Sequence, residues 1–323
     1  MRLQLGMAAL VGSLLMSLPA LAQSFPERPV TIVVSTSAGA LTDVLARAVG
    51  DRLSVRWKRP VVIDNRPGGA YAIAASAVIN APADGHTLLA TEVGMVTMQP
   101  HMHPEGRQTF NPKTDFVTVS GMAGIPVAVL AHPAVKAASV EELIELAKAK
   151  PGAINYGTSG PGTSPHMGAL LLESMAGIRM SPVHYRGVAP ALNDVLAGHI
   201  DMIVMGPSIA LPHYRSGKLK LLGLGSKTPV AQLKDIPVIG DTVPGYEAGV
   251  AFALFARAAT PKHLVETINA DVQAVLRDPQ IEVLLAKSVL QAETGTPAEY
   301  SARLEAQSRM WGKLIRETKL TIE

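Results

Sequence analysis

From residue 30 onward, short runs of β-branched and apolar residues alternate with stretches whose apolar positions recur every three or four residues. VTIVV (30–34) predicts a buried strand. In LTDVLARAVGDRLS, which follows, Leu41, Val44, Leu45, Ala48, Val49 and Leu53 fall at helical spacing. PVVID (60–64) predicts a second strand, the Ala-rich stretch after NRPGGA a helix to about Ala81, and HTLLAT (86–91) a third strand. That β-α-β-α-β order implies a parallel sheet with helices on both faces. VAVLAHP (127–133) opens a second series. SVEELIELAKAKPG has Ser139 and Glu142 at capping-box spacing and stops at Pro151-Gly152. Then come strand AINY, helix 163–176, strand PVHY, helix 188–197, strand IDMIVM, helix 207–216 and strand LKLLGLG. VAFALFA (250–256) is one more strand, and the rest of the chain is helical in pattern, including a stretch with Trp311 that is expected to pack on the first unit.

The pattern gives two α/β units of similar size, with the chain crossing between them. They should leave a cleft, and in open α/β sheets ligands sit outside the carboxyl ends of the strands. The expected division is residues 23–124 with 225–323 as one lobe and 125–224 as the other.

The start of the chain is different. Arg2, an apolar run from Leu5 to Leu18 and Ala20-Leu21-Ala22 have the form of a cleavable export signal over residues 1–22. Later apolar runs are all interrupted by charge, Pro or Gly, so no membrane span is expected. Cysteine is absent, which excludes disulfides, thiolate metal sites and a lipid-modified N-terminal Cys. An exported, unanchored chain of this kind suits the periplasm. The formal charge is +3 and falls to +2 without Arg2, and aromatics make up 4%. Nucleic-acid binding wants a basic face and usually stacking aromatics, and neither is visible. No cofactor is expected, and the expected state is a monomer.

Two loops could hold a ligand. YGTSGPGTSPH (156–166) is close to a phosphate-binding loop, but Thr163 stands where the Lys is needed and Pro161 removes an N–H donor. A nucleophile elbow would need Gly at 161. What survives is Gly157, Gly160 and Gly162, which let backbone N–H groups turn inward, the hydroxyls of Thr158, Ser159, Thr163 and Ser164, and a helix start. By itself this reads as an ordinary Gly/Ser loop capping a helix or as an anion site suited to a carboxylate, which needs no Lys. STSAGALTD (35–43), after the first strand, is again small, hydroxyl-rich and poised at a helix start. His101-Met102-His103 could form a metal pair, but no carboxylate cluster is near in sequence, and no metal site is expected. Ser159 with His166 could suggest a hydrolase, although the spacing fixes no triad. Asp194 and Asp201 are expected to cap or brace strands.

Through nearly its whole length the chain resembles the Bug-family solute receptors of tripartite tricarboxylate transporters. The matching pieces include FPERPVTIVV, PVVIDNRPGG, APADGHTLL, HPAVKAASVEELIELAKAKPGAINYGTSGPGTSPH, VHYRGVAPALNDVLAGHIDMI, LPHYRSGKLKLLGL, FARAATPKHLVETINADV and TPAEYSARLEAQSRMWGKLI. The resemblance implies a type II periplasmic-binding fold: two α/β lobes around a ligand cleft with a hinge, the C-terminal helices packed on lobe 1. It implies a receptor, not an enzyme, which takes a small carboxylate through backbone amides, hydroxyls and waters and delivers it to a membrane permease. A sensor for a signalling partner would need the same surfaces. Carried over residue by residue, the first loop is Ser35, Thr36, Ser37, Ala38 and Gly39 with Asp43. The second is Thr158, Ser159, Gly160, Gly162, Thr163 and His166, with Tyr185, Arg186 and Gly187 closing the cleft floor.

Two departures stand out. The family's first loop is Pro-rich with paired glycines, whereas here it has lost both prolines and one glycine and gained hydroxyls. Glu92 stands after HTLLAT, where a small Thr or Ser is common. A carboxylate facing the cleft would repel an anion by about a kcal/mol or more at contact range. One reading is that the ligand carries an amino or other cationic group, which Glu92, with Asp43 as a second candidate, receives. The alternative is that Glu92 points to solvent or caps a helix.

Overall fold

The computed structural model describes residues 25–102 and 110–320. The expected export signal and His103 lie outside them. The first half runs β1 (Val30–Val34), α1 (Leu41–Trp57), β2 (Val61–Asn65), α2 (Ala72–Ile79), β3 (Thr87–Glu92), α3 (Gly94–Thr97), α4 (Gln99–Met102), α5 (Pro112–Asp115) and β4 (Phe116–Pro126). Then follow β5 (Ala128–Ala131), α6 (Val140–Ala149), β6 (Asn155–Thr158), α7 (Ser164–Ala176), β7 (Ser181–His184), α8 (Val188–Ala197), β8 (Met202–Met205), α9 (Leu211–Arg215) and β9 (Lys220–Leu224). The chain ends with β10 (Gly249–Arg257), α10 (Lys262–Val275), α11 (Pro279–Lys287), β11 (Gln291–Ala292) and α12 (Pro297–Thr318).

These strands form two mixed sheets, ordered β11-β4-β10-β3-β1-β2 and β7-β6-β8-β5-β9. β1 pairs in parallel with β2 and β3, as the β-α-β order requires. The sheet is not all-parallel, because β10 runs antiparallel to both its neighbours, β3 and β4. In the second sheet β6 pairs in parallel with β7 and β8, and β5 is antiparallel to β8 and β9.

Alternating side chains place the cores on both faces of each sheet. Ile32, Val34 and Leu88 pack against Leu45, Val49 and Leu53 of α1 and Ile268 and Val272 of α10. Val33, Leu89 and Phe255 pack on the opposite face with Ala74 and Val78 of α2 and Tyr300 and Leu304 of α12. In the second sheet Val129, Tyr156 and Val204 share a core with α6 and α7, while Leu130, Ile203 and Met205 face α8 and α9. α10, α11 and the first half of α12 thus cover the first sheet, as expected. Beyond Ser308, α12 continues further: Trp311, Leu314 and Ile315 join Met98, Met102 and the α7 residues Met167 and Leu171 in the second sheet's core. Val230, Leu233, Ile236, Ile239, Val243 and Tyr246 also pack on that side.

β4, at 11 residues the longest strand, has no counterpart in the sequence-predicted elements. Gly121, Gly124 and Pro126 break its pattern. The glycines have a packing cause. A Cβ at Gly121 would lie 2.5 Å from Glu293 Cβ and 2.6 Å from the Tyr300 ring, and one at Gly124 would lie 2.8 Å from the Glu293 carboxylate. β6 also sits two residues later than AINY predicts, because Ala153 is still in the turn after α6, where its N–H bonds Lys150 O. The helix predicted over 207–216 begins as a turn at Pro207 and is helical only as α9.

The two sheets meet at a hinge of three segments. Val127 N–H donates to Ala248 O at 3.0 Å, Gly225 N–H to Val127 O at 2.8 Å, and Ala248 N–H to Gly225 O at 2.9 Å. The hinge also orients the lobes. Ala128, next to it, pairs with Met205, the last residue of β8. Phe252, three residues past Gly249, pairs with Glu92, the last residue of β3. Both sheets therefore present the carboxyl ends of their parallel strands toward the hinge, and the cleft lies between those ends.

Close approach decides the hinge residues. A Cβ on Gly225 would stand 2.4 Å from Ala248 O, and one on Gly249 2.6 Å from Ile125 O. Gly225→Ala is expected to cost about 1–3 kcal/mol through overpacking. Gly94→Ala, whose methyl meets only the Met98 sulfur at 4.0 Å, should stay within about 0.5 kcal/mol. Urea unfolding of both variants checks this.

Candidate functional site

Four loops leave the carboxyl ends of β1, β3, β6 and β7 and enter the cleft. The first, Ser35–Ala40, starts buried and ends exposed. The Ser35 hydroxyl donates to Thr91 Oγ1 at 2.8 Å, tying β1 to β3. Thr36 Oγ1 is buried without a partner, and Ser37, Ala38 and Gly39 are exposed.

Asp43, in the first turn of α1, is 2% exposed, and its carboxylate is occupied. It accepts from Gly39 N–H at 2.8 Å, from Arg47 at 2.9–3.1 Å and from Asn65 at 2.9 Å. Burial alone would raise its pKa, but the Arg47, Gly39 and Asn65 hydrogen bonds outweigh that and hold it below the ordinary value. Asn65 also donates to Thr36 O at 3.0 Å. Asp43 is therefore the brace of this loop. Its oxygens are directed at its own lobe.

Glu92 ends β3 and is partly buried. Burial pushes its carboxyl up, and the Tyr71 hydroxyl beside it only partly offsets this. Tyr71 comes from the loop after β2 and stands at φ +75°, a left-handed backbone that places it at the start of α2. Among the described residues no cationic side chain is a cause of that shift.

The second-lobe loop is an interlocked set. Thr158, 0% exposed, ends β6. Its Oγ1 lies 2.9 Å from His184 Nδ1 and accepts from Gly160 N–H at 3.3 Å. The Thr163 hydroxyl donates to Gly160 O at 2.8 Å. Gly162 N–H donates to His166 Nδ1 at 3.0 Å. Gly160 and Gly162 stand at φ +134° and +71°, where a side chain would be strained. The His166 and His184 rings meet edge to face, with centroids 4.7 Å apart. Burial and the His184 ring push His166 down to about 4, and burial also lowers His184. Ser159 is partly exposed. With His166 Nδ1 taken by Gly162, that atom offers Ser159 no base. Tyr185 donates its hydroxyl to Asp194 at 2.7 Å, Arg186 is exposed, and Gly187 at φ +106° leads into α8. Asp194 thus braces Tyr185. Asp201 braces β6 to β8, accepting from Asn155 N–H at 2.9 Å while Asn155 accepts from Asp201 N–H at 2.8 Å.

The helices that open from three of these loops share a property. α1, α7 and α8 have Ala40, Thr163 and Gly187 at their N-caps, and none receives a side-chain cap. Among the helices that start elsewhere, α6, α11 and α12 are capped by Ser139, Asp278 and Thr296, while α10, behind Pro261, has no side-chain cap either. The first-turn N–H groups of an α-helix have no partner inside the helix. At the cleft they remain available, each backed by the positive end of a helix dipole. Sequence reasoning missed four contributors: Asn65, Tyr71, Thr91 and His184. The last three adjoin the predicted residues only in space or by one position, and His184 was legible as the last residue of its strand, one before Tyr185.

His101 Nε2 lies 2.9 Å from the Ser308 hydroxyl, so the described half of the His-Met-His stretch packs on α12. Among the described residues no group of three or more His, Asp or Glu could hold a metal, and no helix is long and apolar enough to cross a membrane. A cavity of about 320 Å³ opens against the hinge, lined by Gly124, Gly225, Ser226, Glu247, Glu293 and Met310 among others; of the four loops it touches only the β3 connection, at Val93.

Replacing the brace should loosen the first loop. Asp43→Asn is expected to lower stability by about 1–3 kcal/mol. Because the carboxyl is held below its ordinary 3.8, this difference persists from pH 7 down to about 4 and shrinks only as the wild-type group is protonated below that. Unfolding curves of both proteins across pH 3–7 test it.

The family model described as "Tripartite tricarboxylate transporter family receptor" matches residues 45–320. Protein BugT of Bordetella pertussis is 26% identical over 93% of this chain and 92% of its own length. The structure of R. palustris Rpa4515 with adipate is 30% identical, covers 90% of this chain and 97% of its own, and superposes with a TM-score of 0.74. MatC of Rhodopseudomonas palustris with bound malate is 25% identical, covers 90% and 100%, and has a TM-score of 0.71. These are solute-binding proteins, and this chain is a receptor of the same kind, not an enzyme. With the two-lobed α/β fold and the loops at the cleft, they establish that the chain belongs to the tripartite tricarboxylate transporter receptor family, the Bug receptors.

Proposed function

We propose that this protein is a periplasmic receptor that captures a small carboxylate bearing an amino group and presents it to a membrane permease. The observation that carries the reading is the set of three helix N-termini at the cleft, α1, α7 and α8, without side-chain caps. A carboxylate can take their N–H groups directly, with the Thr158, Ser159 and Thr163 hydroxyls beside them. Adipate and malate on the solved relatives agree with an acid as ligand. Glu92 adds the amino group: its burial without a cation is unfavourable, and an ammonium at the cleft end of β3 would restore its charge.

Capture follows from the hinge. Contacts made from both lobes exist only when the cleft is closed, so a ligand shifts the lobes toward closure by its differential affinity. The closed surface is what a permease would recognise.

Thermal shifts of refolded protein against plain dicarboxylates and their amino counterparts test the reading. Stabilisation at 100 times Kd is about 2.7 kcal/mol. Amino-bearing acids are expected to bind, and Glu92→Gln to weaken them by about tenfold or more while narrowing the gap to the plain acids. Plain acids binding equally well, with selectivity unmoved in Glu92→Gln, would contradict the amino group. Silence of both sets would contradict the carboxylate.

A further inference from the structure

The cleft end of the second lobe holds two imidazoles with different partners. His166 is 4% exposed, and its Nδ1 accepts the Gly162 N–H. A proton on Nδ1 would set one N–H against another and break a bond that shapes the glycine loop. The ring's own proton is therefore on Nε2, and the ring stays neutral. His184 is the more open of the two rings, and its Nδ1 faces a hydroxyl that can reverse its role. When the ring is neutral, Thr158 Oγ1–H donates to it. When the ring is charged, Nδ1–H donates to Thr158 Oγ1, and the hydroxyl proton turns to Gly160 O at 3.5 Å, while Oγ1 still accepts from Gly160 N–H. One ring is locked, and the other can accept a proton without losing a bond.

The surrounding charges leave that proton without a fixed counterion. Among the described residues no carboxylate hydrogen-bonds to either ring. Asp194, at the end of α8, is engaged by the Tyr185 hydroxyl and faces His199. Glu173, further along α7, accepts from Met180 N–H and lies near the Tyr156 hydroxyl. Arg186, two residues from His184, is positive. At 4.7 Å between centroids, two charged rings would repel each other, so the pair holds one proton at most.

We propose that binding of a carboxylate in the second-lobe loop is coupled to uptake of one proton, with His184 as the acceptor and His166 as a fixed, neutral Nε2–H donor. This rests on the receptor reading above. The sign follows from linkage. In the empty loop burial lowers the proton affinity of His184, and a bound anion raises it again. Protons are then taken up on binding around and below the ordinary histidine value, and affinity rises as pH falls through that range, by at most about tenfold per pH unit for one proton.

Two measurements on the full mature chain test this. Nitrogen NMR of histidine-labelled protein, with signals assigned through H166Q and H184Q, should show His184 titrating while His166 remains an Nε2–H neutral ring. Calorimetry with adipate, malate and their amino-bearing analogues, in two buffers of different ionisation enthalpy, should show fractional proton uptake near pH 6 that fades by pH 8 and vanishes in H184Q. The conservative H184N variant should not restore it. His166 titrating first or together with His184, or an acid that binds without proton uptake, would overturn the proposal. If none of these acids binds, it is the receptor reading that fails for them, and the two ring titrations still decide which histidine takes the proton.

Discussion

The structure depends on how closely three backbone segments approach at the hinge. Gly225 and Gly249 leave no room for a β-carbon, since the carbonyls of Ala248 and Ile125 already occupy that space. This contact lets Val127, Gly225 and Ala248 exchange three hydrogen bonds between the lobes. Because β4 continues almost directly into β5, the two sheets are set with the carboxyl ends of their parallel strands facing each other. The position of every loop at the cleft follows from that arrangement. Behind it, α12 packs against both cores, with Tyr300 and Leu304 on one sheet and Trp311 and Ile315 on the other. The lobes are thus joined by a short ladder of backbone bonds and the apolar stripe of one long amphipathic helix.

The cleft is charged with unusual economy. Its basic side chains are either exposed, as Arg186 is, or turned to the scaffold, as Arg47 is toward Asp43. The electropositive character comes from the helix starts, whose partial charges are fixed in place and need no reordering of long side chains. A small carboxylate is well matched to such a surface. Hydrogen bonds inside each loop (Thr163 to Gly160, Gly162 to His166, Asn65 to Thr36) hold the loops in shape. Glu92 is the exception. Its carboxyl is partly buried near Tyr71, and burial pushes its pKa up.

Most of the fold was legible because buried strands and amphipathic helices leave strong patterns, as VTIVV and LTDVLARAVGDRLS do. β4 was not, for a physical reason. Its glycines answer to Glu293 and Tyr300, about 170 residues away in the chain, so a local pattern that looks like a loop is set by a distant contact. The double contact of α12 was hidden similarly, since one apolar stripe serves two cores in succession. At the cleft, composition and helix starts pointed to both loops. The roles inside them depended on partners that adjacency does not reveal. Asp43 looks like a ligand contact in sequence, and only Asn65 from the neighbouring strand shows it to be a brace. His184 became visible as a partner of His166 only once β6 and β7 lay side by side.

The most direct test of the account is an amide NMR titration of the ¹⁵N-labelled protein with an acid that binds. If the ligand is held by backbone donors from both lobes, the amides at the start of α1 (Leu41, Thr42), at the start of α7 (Ser164, His166) and at the start of α8 (Val188, Ala189) should shift together along one saturation curve. Shifts confined to one lobe, or centred on the hinge cavity around Ser226 and Glu293, would contradict it.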